Sequence, residues 1–407
     1  MKHIIIIGAG ASGLTAAYFA AKNQAKVTVL EHTSKAGKKI LVTGNGKCNL
    51  TNMVQTLEDY RGKKPEFGYE LLKYFSVEDT ISYMEELGIA TKEKRGYVYP
   101  RSETAVTVQQ KLLQKCLALG VTIVYDTKVD EIKKEKGKFL VTTNQGSYEG
   151  DACILATGSQ AAPKTGSDGS GYTLAKALGL KIIKPLPALV QLCAEDKICK
   201  EASGVRCEVM ADLYIQGEHR ISNQGELQIT DYGLSGIIVM QISRYAVEAM
   251  DRRKQVQISL DFFPEMTESG LAKKLYRYLE QAKEETVLEV LEGFLNYKLA
   301  FGLLSQMGIG RKKKARELDE SWAGDMAHFM KNYMVELTGY KGFEQAQVCQ
   351  GGVDTSQIQQ DTMEVKEIPG LYVVGELLDV DGNCGGYNLQ FAWGSGAVAG
   401  KNASMQN

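Results

Sequence analysis

Residues 1–31 leave few choices for how this chain begins. His3-Ile4-Ile5-Ile6-Ile7 is a short apolar run that reads as a central parallel strand, buried on both faces. Gly8-Ala9-Gly10-Ala11-Ser12-Gly13 follows, then a helix of small residues from Leu14 to Lys22. A second strand, Lys26-Val27-Thr28-Val29-Leu30, ends on Glu31. This is G-x-G-x-x-G between strand and helix, the context that gives the pattern meaning. Gly8 allows the tight turn, Gly10 lets a pyrophosphate approach the backbone, and Gly13 lets the helix pack closely on the strand. The free N–H groups and positive dipole end of the helix then receive phosphates. Glu31 stands where an acid accepts hydrogen bonds from a ribose hydroxyl, and an acid there argues against a 2′-phosphate. The motif alone leaves NAD and FAD open, and its bland alternative is an ordinary glycine-rich turn.

The chain has 407 residues, enough for two or three domains. Lys and Arg number 48 against 49 Asp and Glu, so nothing in the charge suggests a nucleic-acid or membrane footprint. The run Arg311-Lys312-Lys313-Lys314 reads as a solvated helix end rather than a binding patch. No stretch of 18 apolar residues exists, so no transmembrane helix is expected, and Ile4–Ile7 is too short for a signal-peptide core. The expected location is cytoplasmic. Eight scattered cysteines form no C-x-x-C pair and read as small buried hydrophobes. The four histidines show no metal-ligand spacing, which weighs against a metal site and against a Ser-His-Asp hydrolase.

Between Ser34 and Asn52 the chain spends three glycines and three asparagines beside four lysines. Such a loop, rich in backbone donors and tolerant of left-handed conformations, suits close contact with a polar ligand. Residues 66–87 read as helical, 95–102 as a turn-rich segment, and 105–119 as an amphipathic helix. Val121–Tyr125 reads as a short strand, and 129–149 as a small antiparallel meander turning at Gly137 and Gly146. Ala152 to Gly158 is a further apolar strand closing on Thr157-Gly158. Lys164 to Tyr172 then opens a helix that continues over Thr173–Leu178.

Pro185 and Pro187 mark a composition change. The expected organisation is a discontinuous first domain, 1–189 with 346–407, interrupted by a β-rich part, 190–264, and a mainly helical part, 265–345. Tyr340–Val348 is expected as the returning strand, Gly351–Asp354 as a turn, and Met363–Ile368 and Leu371–Glu376 as strands. A last helix is expected over Asn388–Lys401. The fold class is α/β.

The C-terminal stretch narrows the ligand. Gly370-Leu371-Tyr372-Val373-Val374-Gly375-Glu376 is an apolar strand ending in glycine and an acid. In flavoproteins of the two-dinucleotide-binding-domain type, such a strand delivers its acid to the ribityl chain of FAD. The helix opening Gly385-Gly386-Tyr387-Asn388-Leu389-Gln390 would point its positive end at the flavin pyrimidine ring.

Taken with GKKILVTGNGKCNLTN (Gly37–Asn52), TDYGLSG (Thr230–Gly236) and GLYVVGELLDVDGNCGGYNLQFAWGSG (Gly370–Gly396), the chain resembles a bacterial family. These are the BaiN-like or aminoacetone-oxidase-like (HI0933-like) NAD(P)/FAD-dependent oxidoreductases, and the resemblance spans the whole chain. It implies a Rossmann-like FAD-binding domain with an inserted domain that has a β-barrel-like part and a helical part. It implies that Gly8, Gly10, Ala11, Ser12 and Gly13 hold the pyrophosphate and Glu31 the adenosine ribose. Lys39, Asn45, Gly46, Cys48 and Asn49 would run along the flavin side, and Val129 would meet the adenine through its backbone. Thr157, Gly158, Gly375, Glu376, Asp381, Asn388 and Leu389 would complete the site. Two departures are visible: Gly375-Glu376 stands where other flavoproteins have Gly-Asp, a feature the resembled family shares, and Ile237 stands where many relatives place proline after TDYGLSG.

Flavin N5 carries the hydride, so the protein need only orient substrate and supply protons. Candidate proton donors are Tyr387 and Tyr99, with Tyr97 beside them, each also readable as a packed core tyrosine. Cys48 and Cys384 flank the flavin motifs, where packing explains them as well as redox chemistry does. The expected activity is hydride transfer to or from a small organic substrate, with NADH or NADPH as electron donor. One form is reduction of a conjugated C=C in an oxo-steroid, and another is aminoacetone-type amine oxidation by O₂. A third reading is a non-catalytic flavin-binding regulatory protein. The inserted domain is expected to cover the substrate.

Overall fold

The computed structural model describes residues 1–405, which divide into two compact units, 1–187 with 346–405 and 188–345. At the centre of the first unit lies a five-stranded parallel sheet. Its order is Leu371–Val373, Ala152–Leu155, β1 (His3–Ile7), β2 (Lys26–Leu30), Thr122–Val124. Ile4, Ile5 and Ile6 have no solvent exposure, as a central parallel strand covered on both faces requires.

The glycine turn leads into α1 (Ala11–Lys22), which begins three residues before the expected Leu14 because Ala11 and Ser12 already have helical backbone. The C-terminal helix, Tyr387–Ser404, lies against α1. Two glycines permit that approach. A Cβ on Gly396 would stand 2.3 Å from Ser12 O, and one on Gly400 2.3 Å from Ala16 O. The fully buried Trp393 donates its indole N–H to Leu50 O at 3.1 Å, fixing the helix to the start of the Thr51–Asn52 strand.

Some elements differ from their expected form. The helical stretch 66–87 is cut at Ser76 into Pro65–Glu70, a 3₁₀ turn and Val77–Glu86. Ser76 and Asp79 form a reciprocal capping box, each bonding the other's backbone N–H at 3.1 and 2.8 Å. The segment 95–102 is half of a hairpin, Thr91–Lys94 with Tyr97–Pro100, turned by Arg95 and Gly96 at φ 54° and 86°. Residues 341–347 are not a strand. The returning strand is Val348–Val353, so the expected turn at Gly351-Gly352 is a buried strand end. Both glycines have positive φ, which lets Lys184 O and Leu377 O lie where a side chain would otherwise stand. Residues 363–368 make only two isolated bridges, Ile358 with Val365 and Glu364 with Tyr372.

The second unit is built on a seven-stranded antiparallel sheet that runs from Tyr333–Glu336 at one edge to Gly339–Tyr340 at the other. Only Leu337 and Thr338 separate these edge strands in sequence. Leu337 N donates to Val256 O and Thr338 N to Cys193 O, so the sheet curls until its edges meet. That is the β-barrel-like part. Four helices, Glu268–Gln281, Val287–Glu292, Tyr297–Gln306 and Glu320–Lys331, form the helical part, and one of the barrel's edge strands follows them directly. Ile237 opens the helix Ile237–Asp251 without disturbance and is 60% exposed. The basic run lies between helices, where Arg311 stacks on Phe301 and Lys313 pairs with Glu317. Lys314 Nζ donates to Glu284 O. Among the described residues no helix is long and apolar enough to cross a membrane.

Two outcomes follow. Gly396→Ala forces α1 and the C-terminal helix apart, so chemical denaturation should show a loss of about 1–3 kcal/mol. Asp354 is buried and ties three chain segments together, accepting from Ser356 N and facing Lys63 Nζ at 3.3 Å and Lys181 Nζ at 3.6 Å. Burial opposes its ionisation, but the bonds from Ser356 and the Lys63 ammonium outweigh that and hold its pKa at about 2. A carboxyl depressed in the folded state contributes stability above its unfolded pKa and loses it as pH falls through the folded one. Asp354→Asn should therefore flatten the fall in stability between about pH 4 and pH 2.

Candidate functional site

The glycine turn is shaped by the strands around it. Gly8, at φ 103°, donates its N–H to Leu30 O at 2.8 Å. A Cβ on Gly8 would stand 2.5 Å from Ala156 O, and one on Gly13 2.0 Å from Gly8 O. Gly10 is different: a Cβ there would meet nothing within 4 Å, and its φ of −81° suits any residue. Gly8 and Gly13 are thus glycines for the protein's own packing, whereas Gly10 keeps open a space in front of α1. No side chain caps that helix, so its first N–H groups face the same space.

Glu31 is buried at the end of β2, with Oε2 accepting from Ala9 N and Oε1 from Thr33 N, both at 2.8 Å. The carboxylate thereby fixes the turn, and each oxygen keeps a lone pair for a further donor. Thr127 N bonds Glu31 O, which sets the start of the Val129–Glu135 strand, and the buried Val129, beside this acid. Thr157 and Gly158 follow the neighbouring sheet strand. Thr157 lies under Gly171, and Gly158, at φ 73°, abuts Ser167.

The loop 37–52 is not a plain surface loop. Gly37 N bonds Ala9 O, tying the loop back to the glycine turn. A 3₁₀ segment over Ile40–Gly46 is interrupted by left-handed Gly44 and Asn45, followed by left-handed Gly46 and Cys48. Asn45 is exposed, Cys48 is fully buried, and Asn49 Oδ1 is buried with no partner. Burial pushes the Cys48 thiol up to about 11, with the Thr43 hydroxyl pulling the other way, so it is a packed thiol at neutral pH.

At the other chain end, Gly375 sits under α1 with φ 66°. A Cβ there would meet Ser12 Oγ at 2.5 Å, and Gly375 N donates to Ser395 Oγ at 3.0 Å. Glu376 Oε2 lies 2.5 Å from Lys39 Nζ, which also reaches Ala161 O at 3.3 Å. Two residues 337 apart in sequence thus form one ion pair. Glu376 Oε1 is buried and has no partner.

Asp381 is buried and pairs in register with Arg61. Asn388 clamps the backbone of one residue on both sides, accepting from Gly382 N at 2.8 Å and donating to Gly382 O at 2.9 Å. Its side chain therefore holds the protein, which leaves its backbone N–H, in the first turn of the C-terminal helix, to face a ligand. Leu389 packs half-buried against the core. The N-cap of this helix, Gly386, has φ 100° and no capping side chain.

Tyr387 is buried edge-on to Tyr60, with ring centroids 6.1 Å apart. Burial first, and Asp59 next, raise its pKa well above that of a free phenol. Tyr99 is half-buried beside Gly44, and burial, Tyr97 and Glu103 raise it as well. Both phenols are protonated at neutral pH. Ser395, Gly396 and Gly400 were not singled out in the sequence, although glycines spaced by four in a helix are the mark of close helix contact. Tyr172, whose buried hydroxyl has no partner, also went unremarked.

An open cradle at Gly10 and unpartnered buried acceptors at Asn49 and Glu376 fit a ligand with phosphates at one end and donors at the other. Gly10→Ala should leave the apoprotein's unfolding midpoint unchanged yet weaken FAD binding at least tenfold in a fluorescence titration. Gly13→Ala should instead lower the unfolding midpoint, because its Cβ strikes backbone.

The family model described as HI0933-like protein Rossmann domain matches residues 2–402. A 3-dehydro-bile acid delta(4,6)-reductase of Clostridium scindens is 39% identical over 406 residues, covering 99% of each chain. A ribosomal RNA dihydrouridine synthase of Haemophilus influenzae is 30% identical over 411 residues, covering 99% of this chain and 98% of its own. Among solved structures, the 3-ketosteroid-delta4-(5alpha)-dehydrogenase of Rhodococcus jostii RHA1 with 4-androstene-3,17-dione matches at TM-score 0.51 and 16% identity. That match covers 100% of this chain and 97% of the other, a likeness of fold.

Proposed function

The chain belongs to the HI0933-like Rossmann-domain family, and from that membership we propose that it is an FAD-dependent oxidoreductase reducing a C=C bond conjugated to a carbonyl. The single observation that carries the flavin reading is the pairing of an open cradle at Gly10 with the unpartnered Glu376 Oε1. The reaction type is supported by the two relatives together. One is named a reductase of a 3-dehydro-bile acid. The other makes dihydrouridine, which is uridine with the C5=C6 bond, conjugated to the C4 carbonyl, saturated. Unlike as those substrates are, a C=C bond conjugated to a carbonyl takes a hydride at an electrophilic carbon of the conjugated system and a proton at the neighbouring carbon.

When bound, FAD would supply the hydride through N5 and be recharged by NADH or NADPH. The protein's share is placement and protons. Gly8 to Gly13 and α1 would hold the pyrophosphate, Glu31 the adenosine ribose, and Lys39 with Glu376 the chain leading to the flavin. The uncapped start of the C-terminal helix would stabilise negative charge at the pyrimidine end. Tyr387 and Tyr99, both held protonated, are the groups proposed to deliver the proton that the neighbouring carbon takes. Burial keeps the Cys384 thiol protonated with a pKa of about 11, so no thiolate step is assigned to it.

An oxo-steroid of bile-acid type is the favoured substrate, because the 39% identical relative carries that name. A uridine in ribosomal RNA is the second reading, favoured by the 30% identical relative. The engaged side chains of the 311–314 run offer it little support.

The test is anaerobic mixing of holoenzyme with NADH or NADPH, followed by 4-androstene-3,17-dione or ribosomal RNA. Bleaching of the flavin band by the nicotinamide, then its return on adding the steroid, is expected. Return with RNA alone would move the substrate to the second reading. No bleaching, with peroxide formed from aminoacetone in air, would replace the reductase by an amine oxidase.

A further inference from the structure

A short sheet beside the C-terminal helix has one face that the proposed reaction leaves unused. The sheet joins Thr51–Asn52, Tyr97–Pro100 and Thr91–Lys94. Val98 and Pro100 are buried on its inner face, so Tyr97 and Tyr99 alternate onto the outer one. Residues directly opposed in an antiparallel pair share a face, with Cβ atoms about 5 Å apart. Tyr97 is opposed by Asn52 on one side and by Lys94 on the other, and Tyr99 is opposed by Lys92. The outer face thus carries two tyrosines, Asn52 and two lysines.

That face abuts the two segments assigned to the flavin end. Asn52 Nδ2 donates to Gly385 O at 3.2 Å. A Cβ on Gly385 would stand 3.0 Å from Tyr97 Cε1 and 3.2 Å from Tyr387 Cε2, so the two rings flank one point at the head of the C-terminal helix. A Cβ on Gly44 would meet Tyr99 Cε1 at 4.0 Å. Packed at its edge in this way, Tyr97 is still 39% exposed. Met53 and Val54 follow Asn52 and are 44% and 61% exposed. Both are fixed to the same corner, Met53 N bonding Gly96 O at 2.8 Å and Val54 N bonding Asn52 Oδ1 at 3.0 Å.

The two lysines differ. Lys92 pairs with Glu103, which also pairs with Lys47. The Lys94 ammonium has no acidic partner among the described residues, and its neighbour Glu93 is turned to the hairpin tip, where it accepts from Gly96 N. An open aromatic ring, exposed aliphatic side chains and one uncompensated cation therefore lie together beside Gly385.

Resting on the reductase reading above, we propose that this face is the substrate platform and that it selects an anionic substrate. The apolar body lies on the Tyr97 ring and against Met53 and Val54, which removes their surface from water. A carboxylate at the far end of that body pairs with Lys94. The methylene stem of Lys94 runs along the body while its ammonium meets the anion. Ribosomal RNA would offer phosphates to Lys94 but nothing aliphatic to Met53 and Val54, so the small carboxylate is the better fit.

The experiment uses holoenzyme reduced with dithionite and mixed anaerobically with a steroid enone whose side chain ends in a carboxylate, or with its methyl ester. The concentration that gives half the maximal rate of return of the flavin band is read for wild type, Lys94→Glu and Tyr97→Ala. Wild type should reach it at about fivefold lower concentration of the acid than of the ester, a gap that narrows at high salt. Lys94→Glu should reverse that preference. Tyr97→Ala should raise both concentrations about tenfold and keep their ratio. Acid and ester taken equally by wild type would overturn the proposal, and so would a preference for the acid that survives in Lys94→Glu. Unchanged half-saturation in Tyr97→Ala would overturn it as well. Return of the band with neither steroid would instead overturn the reading of the substrate as a steroid.

Discussion

The backbone of the C-terminal helix meets the backbone of α1 with no side chain between them, and the rest of the first unit depends on that contact. It exists only because residues 396 and 400 lack a Cβ, where one would stand 2.3 Å from the carbonyls of Ser12 and Ala16. Once the two helices are so close, Ser395 reaches Gly375 N and Gly375 slides beneath Ser12. The acid that follows, Glu376, is then delivered to Lys39 on the first loop. The two ends of the chain meet because two glycines remove the material that would hold them apart.

Local patterns were legible where a single physical rule acts over a short span. The isoleucine strand, the glycine turn and the acid after β2 all stand where spacing put them, because a parallel βαβ unit leaves little freedom. Boundaries set by tertiary contact were not legible. Gly351-Gly352 looks like a turn, and only the approach of Lys184 O and Leu377 O explains why it is a buried strand end. The cut at Ser76 was readable in principle from Ser-x-x-Asp, but the apolar periodicity on either side hid it.

The site shows the same division. Gly10 was expected to face phosphate, and the structure shows open space there, unlike the crowded Gly8 and Gly13. The left-handed backbone at Gly44, Asn45, Gly46 and Cys48 accords with the glycine and asparagine content of that loop. Pairings across hundreds of residues could not be read from spacing at all. The Lys39–Glu376 ion pair and the Asn388 clamp on Gly382 each require the fold. The clamp also changes a role, since the Asn388 side chain proves committed to the protein.

The strand that leads out of the first unit, Ile182–Ala188, is hydrogen-bonded to the strand that leads back, Val348–Val353. Exit and return are therefore neighbours in one small sheet, and the span between them is a closed excursion from a chain that needs only a short bridge to continue. A gene could gain, lose or exchange that excursion in one step without disturbing the pairing that bounds it. The ancestry of residues 188–345 is thus free to differ from that of the first unit, whose pairing closes behind the excursion whatever fills it.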